Sequence, residues 1–99
     1  MIYSIGSQRF KLNTLIDTGV SCNFIKLSAL PEYFRYSIRS NEIECYVQLD
    51  DRNGFDKFNV TDEIDEDAIV GLGFLHKHSF TIDFAKKEII FGANVSSRF

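Results

Sequence analysis

The chain has 99 residues, 44% of them hydrophobic and 25% charged, with a net charge of −3. These values match an ordinary globular domain and exclude disordered, collagenous and low-complexity chains. Lys plus Arg number 11 against 14 Asp plus Glu, a poor balance for holding nucleic-acid phosphates, and no apolar run approaches the roughly 18 residues of a membrane helix.

A chain of this length allows one domain, residues 1–99. Residues 1–11 carry polar side chains throughout, unlike a signal peptide, so a cytoplasmic location is expected. Ile2 to Ile5 and Arg9 to Ile16 are rich in β-favouring residues, and Gly6-Ser7-Gln8 between them predicts a hairpin turn. Asp17-Thr18-Gly19 breaks the second strand, and Cys22 to Ile25 resumes it. Leu27 to Phe34 holds the only proline, Pro31, and reads as a loop with one helical turn. Arg35 to Ile38 and Ile43 to Leu49 predict a second hairpin. Asn53-Gly54, the strongest turn signal, predicts a third between Cys45–Leu49 and Phe55–Val60.

An acidic stretch from Asp62 to Asp67 then leads into Ala68-Ile69-Val70. Gly71 to His78 predicts one short helix with Phe74 and Leu75 turned inward. Phe80 to Phe84 and Glu88 to Phe91 predict a closing hairpin around Ala85-Lys86-Lys87. About seven short strands and one helix make an all-β domain, expected as a small closed β barrel with one short C-terminal helix.

The stretch that carries chemistry is Leu15-Ile16-Asp17-Thr18-Gly19-Val20-Ser21. The apolar residues before Asp17 would fix its carboxylate and lower the local dielectric. Thr18 can hydrogen-bond across the base of a site, and Gly19 permits close backbone approach. The same tripeptide also suits an ordinary turn, and by composition it arises by chance in roughly one chain in fifty of this length.

In context, the segment resembles the active-site motif of retropepsins, the aspartic proteases of retroviruses and LTR retrotransposons. Ala68-Ile69-Val70-Gly71-Leu72-Gly73-Phe74-Leu75 looks like that family's apolar strand, glycine and helix. His76 to Phe84 followed by Lys87 to Phe91 resembles the tail of gypsy-type retrotransposon proteases. The resemblance implies a retropepsin-like acid protease fold and an aspartic endopeptidase, with Asp17, Thr18 and Gly19 as its catalytic residues. It implies that Gly19, Val20 and Ser21 bind substrate backbone and that Asp67, Ile69 and Val70 line side-chain pockets; for Ile69 and Val70, plain core packing is an equal expectation. Arg35 to Tyr46 would supply the flap over the substrate, although no glycine lies between Gly19 and Gly54 to form its tip. Gly73 stands where retrotransposon relatives often have Asp, and Ser21 where some retroviral enzymes do, so the buried ion pair of that branch is missing.

Aspartic proteolysis needs two carboxylates sharing a proton, because like charges about 3 Å apart cannot both ionise. One Asp-Thr-Gly occurs in the sequence, so a homodimer with Asp17 from each chain is implied. Its substrate would be an extended peptide or retroelement polyprotein, processed in the cytoplasm or within a retroelement particle. The alternative is a retropepsin-like dimerisation or peptide-binding module with little hydrolysis. No metal or other cofactor, nucleic acid or membrane is expected as a partner. His76 and His78 lack further zinc ligands nearby, the acidic run lacks the glycine of an EF-hand, and Cys22 has no histidine close in sequence.

Overall fold

The computed structural model describes residues 1–35, 41–49, 52–91 and 94–98. In chain order the elements are β1 (Ile2–Ile5), β2 (Gln8–Lys11), β3 (Thr14–Asp17), β4 (Phe24–Lys26), a 3-10 turn (Leu27–Ala29), α1 (Glu32–Arg35), β5 (Glu42–Leu49), β6 (Arg52–Thr61), β7 (Ala68–Gly71), α2 (Leu72–Lys77), β8 (Thr81–Asp83), β9 (Glu88–Phe91) and β10 (Asn94–Arg98). The domain is mostly β, with two short α-helices where one was expected. No helix among the described residues is long and apolar enough to cross a membrane.

The first hairpin forms as its sequence predicts. Ile5 pairs with Gln8, and Gly6 takes the left-handed backbone (φ +58°) that the tight turn needs. The run from Arg9 to Ile16 does not continue as one strand, however. It breaks at Leu12-Asn13, where Leu12 drops into the core and its N–H donates to the Met1 carbonyl. The Asn13 N–H donates to the Asp67 carboxylate at 3.0 Å. This break sends β2 and β3 to opposite edges of a seven-stranded sheet of order β2-β1-β5-β6-β4-β7-β3. A closed barrel would need those edges to pair. Among the described residues they do not, and the sheet is an open, curled half-barrel. A second sheet, β10-β9-β8, carries the expected closing hairpin plus a third strand that the polar sequence of β10 did not signal.

The turn expected at Asn53-Gly54 is absent. Leu49 pairs with Arg52, which leaves only residues 50 and 51 between β5 and β6, and Gly54 lies inside β6 opposite Val47. Gly54 is there for space: a Cβ would come within 2.7 Å of Phe74 Cζ and 2.9 Å of the His78 ring. Phe74 is 2% exposed and packed, so it has little room to retreat. Gly54→Ala is therefore expected to destabilise the fold by about 1–3 kcal/mol through overpacking, read as a lower melting temperature. Arg35 ends α1 and begins no strand; its guanidinium donates to the carbonyls of Leu30 (2.8 Å) and Ser28 (2.7 Å). The rest of the predicted strand, residues 36–38, lies outside the described residues.

One core joins the elements. Tyr3, Ile25, Leu30, Val47, Phe58, Val70, Leu75 and Ile89 are fully buried, each large apolar side chain contributing about 1.5–3 kcal/mol over an exposed one. Tyr3 meets Phe58 edge-on at 5.6 Å, and its hydroxyl hydrogen-bonds Thr14 Oγ1 at 2.8 Å. Burial pushes the ionisation of that hydroxyl upward. Phe74 and Leu75 turn inward from α2, as their spacing predicts.

Candidate active site

Asp17 is the last residue of β3, an edge strand that runs parallel to β7 with Asp17 opposite Gly71. Its side chain is half-buried. The Gly19 N–H donates to Asp17 Oδ1 at 2.9 Å, a local turn in which the carboxylate binds the backbone two residues on. That bond fixes one carboxylate oxygen and sets the direction of the side chain. Thr18 is half-buried beside it, and its hydroxyl has no hydrogen-bond partner among the described residues of the chain.

The loop from Thr18 to Asn23 is clamped onto the junction between β7 and α2. Three successive backbone N–H groups point into it: Gly71 to Asn23 Oδ1 (3.0 Å), Leu72 to the Val20 carbonyl (2.8 Å) and Gly73 to the Ser21 carbonyl (3.2 Å). The first N–H groups of any helix lack partners within it. Here Gly71, the N-cap of α2, has no side chain to cap with, and the loop supplies the acceptors. The contact is close enough to demand glycine. A Cβ on Gly71 would overlap the Cys22 carbonyl oxygen and reach 2.8 Å from that of Val20, while one on Gly73 would lie 2.6 Å from the Ser21 oxygen. A Cβ on Gly19 would meet only Asp17 Oδ1, at 3.1 Å. Within the chain, the close backbone contacts that leave no room for a Cβ are made at Gly71 and Gly73.

The other expected site residues separate. Strand register places Leu15, Ile69 and Phe24 in one row across β3, β7 and β4. Leu15 is exposed, and Ile69 and Phe24 are half-buried on the face away from the core. Ile69 can therefore line a cleft beside Asp17. Leu15 and Phe24 join it, two positions that strand alternation from Asp17 and Ile25 could have identified. Val70 points the other way and is fully buried in the core. Asp67 precedes the far end of β7, where its carboxylate accepts the Asn13 N–H and its carbonyl the Lys26 N–H. It is a structural anchor remote from Asp17. Val20 is half-buried and Ser21 exposed, both at the loop surface.

An open pocket of about 420 Å³ adjoins the loop, lined by Ser21, Cys22 and Asn23 together with Asp56, Lys57 and Lys77. Cys22 is exposed, whereas Cys45 is buried, and burial pushes the Cys45 thiol up to about 12. A thiol reagent is expected to label one cysteine per native chain, Cys22, with Cys45 reacting only after denaturation; two fast equivalents in the native state would contradict this. His76 lies in α2 and His78 follows it, the latter ring packed 4.6 Å from Phe74. Among the described residues, no cluster of three His, Cys, Asp or Glu side chains is placed to hold a metal ion.

No family model and no curated protein matches the chain. Among solved structures, it is similar to the crystal structure of the retroviral protease-like domain of Ddi1 from Leishmania major. The TM-score is 0.73 over 99% of this chain and 87% of that one, at 15% sequence identity. The fold is retropepsin-like.

Proposed function

We propose that the chain is one half of a homodimeric aspartic endopeptidase, with Asp17 of each copy meeting on a two-fold axis. The observation that supports this is the placement of Asp17-Thr18-Gly19: at the end of β3, with the carboxylate oriented by the Gly19 N–H and the loop clamped to β7 and α2, in a retropepsin-like fold. The single Asp-Thr-Gly in the sequence makes a second copy the source of the other carboxylate.

In the working dimer the two carboxylates share one proton, since both cannot ionise at close range. The ionised Asp17 takes a proton from a water as the water oxygen bonds to the scissile carbonyl carbon. The protonated Asp17 of the other copy gives its proton to the carbonyl oxygen. The tetrahedral intermediate then breaks its C–N bond as the amine nitrogen takes the proton now on the first Asp17 and a hydroxyl proton returns to the second, releasing acid and amine and restoring the singly protonated pair. Because the singly protonated pair is the active form, activity falls at both extremes of pH. Leu15, Ile69 and Phe24 offer an apolar wall to side chains flanking the cut, and Gly19 to Ser21 offer backbone groups to an extended peptide. The substrate we favour is a polyprotein of a retroelement; the structural neighbour, a domain of Ddi1, makes a domain within a larger chain the other setting.

One observation favours a second reading, a peptide-binding module with little hydrolysis. Only six residues, 36–41, separate Arg35 from Glu42, and β5 pairs with β6 along its whole length. No glycine lies between Gly19 and Gly54 to form the tip of a flap that covers substrate and excludes water. The test is cleavage of a mixed peptide library from about pH 4 to 8, read by mass spectrometry on a preparation shown to be dimeric. Cleavage on the acid side, blocked by a pepstatin-type inhibitor, supports the endopeptidase. Peptide binding without cleavage replaces it with the module.

A further inference from the structure

Among the described residues, Asn23 is the one buried uncharged polar residue, 5% exposed on a loop whose other members reach the surface. Its carboxamide is almost fully used. Oδ1 accepts the Gly71 N–H at 3.0 Å, and Nδ2 donates to the Lys57 carbonyl (3.1 Å) and to Asp56 Oδ2 (3.3 Å). Its backbone carbonyl accepts from the Asn59 N–H (2.9 Å) and Asn59 Nδ2 (3.3 Å). These bonds tie together the loop, the β7–α2 junction and β6. The residue opposite Asp17 in the β3–β7 register is Gly71, the same residue that Asn23 holds. Asp56 is in turn fixed by Lys77 of α2 at 3.4 Å and by the Lys57 N–H at 2.8 Å.

We infer that Asn23 is the positioning residue of the Asp17 loop: its carboxamide sets the loop's height over Gly71, and through it the aim of the Asp17 carboxylate. The inference deepens the endopeptidase reading and rests on it for the catalytic part alone. An amide suits the task because one side chain must present an acceptor to Gly71 and donors to Lys57 and Asp56 at once. No other uncharged side chain of this size does both. Reversing the amide would place an NH₂ group against the Gly71 N–H, so the network fixes its orientation.

Asn23→Asp keeps the shape and the acceptor for Gly71 but turns both donors into acceptors facing Lys57 O and Asp56. The charged groups around the new carboxylate are Asp56 and Lys57 of β6, Lys77 of α2, whose ammonium is paired with Asp56, and Glu42 of β5 at the rim of the same pocket. Burial and the Asp56 charge raise the new carboxyl above the ordinary range, so in acid it is neutral and can again donate. The defect should therefore be pH-dependent.

The experiment compares wild type with Asn23→Asp in two ways. The first is peptide-cleavage kinetics at about pH 4.5 and about pH 7. At neutral pH we expect kcat to fall by about 10- to 100-fold with KM within about twofold, because the carboxylate is misaimed while the binding surface persists. In acid the variant should recover to within a few-fold of wild type. The second readout needs no catalysis: the maleimide labelling rate of Cys22 at neutral pH, expected to rise about tenfold as the loop loosens. A variant with a lower melting temperature but unchanged kcat and labelling would show that Asn23 only stabilises the fold, and would overturn the inference. If Asn23→Asp does not fold at neutral pH, Asp56→Ala removes one of the three side-chain bonds, and unchanged values there overturn it equally. A wild type that cleaves nothing defeats the endopeptidase reading, while the Cys22 rate still decides the role of Asn23.

Discussion

Asp17→Asn is expected to remove peptide cleavage by at least about 10³-fold while leaving the domain folded and able to dimerise. The substitution changes almost nothing that holds the loop. An Asn at this position still presents an oxygen to the Gly19 N–H, now 2.9 Å from Asp17 Oδ1, and the bonds from Gly71, Leu72 and Gly73 do not involve it. What it loses is the ability to take a proton from water. Cleavage assays beside a sedimentation measurement separate the two effects. Residual activity near the wild-type level would remove Asp17 from the mechanism.

The second large effect is expected at Gly71. An alanine Cβ would overlap the Cys22 carbonyl and crowd that of Val20, both of them backbone atoms with no rotamer to escape into. Relief requires the loop to lift from β7, which breaks the bonds from Gly71, Leu72 and Gly73 together. A loss of about 3 kcal/mol or more is expected in urea unfolding, at the upper end for one added carbon. Gly19→Ala should cost under about 1 kcal/mol, because its only close neighbour is Asp17 Oδ1 at 3.1 Å. Equal losses at the two glycines would mean that the loop is not seated on the β7–α2 junction.

Some of this was readable from the residues. Asp17-Thr18-Gly19 followed by a distant apolar strand, glycine and short helix is a pattern of local chemistry, and local chemistry survives in sequence. Phe74 and Leu75 were placed inward for the same reason, since one helical turn decides which way they point. Asn53-Gly54 misled because two different needs select glycine: a left-handed turn and an empty Cβ position. Only the position of α2, fixed by distant residues, shows that the second applies. The split between β2 and β3 was hidden because Leu12 is as apolar as its neighbours, and its departure into the core depends on partners at Met1 and Asp67. Asn23 carried no signal at all. A lone asparagine in a loop looks solvent-exposed until β6 and the β7–α2 junction close around it.

The clamp between the Thr18–Asn23 loop and the β7–α2 junction also governs when the site can come into being. The Gly71 to Asn23 bond spans 48 residues, and β4, β5 and β6 lie in the chain between its ends. Contacts of such separation form late, after the local hairpins. On a ribosome, the Asp17 segment would wait unshaped until the segment through Gly73 had been made. The amide protons of Gly71, Leu72 and Gly73 should accordingly exchange with solvent only when the whole domain opens, at the pace of core residues such as Val70. A chain cut before α2 would keep its Asp-Thr-Gly and have nothing to seat it on.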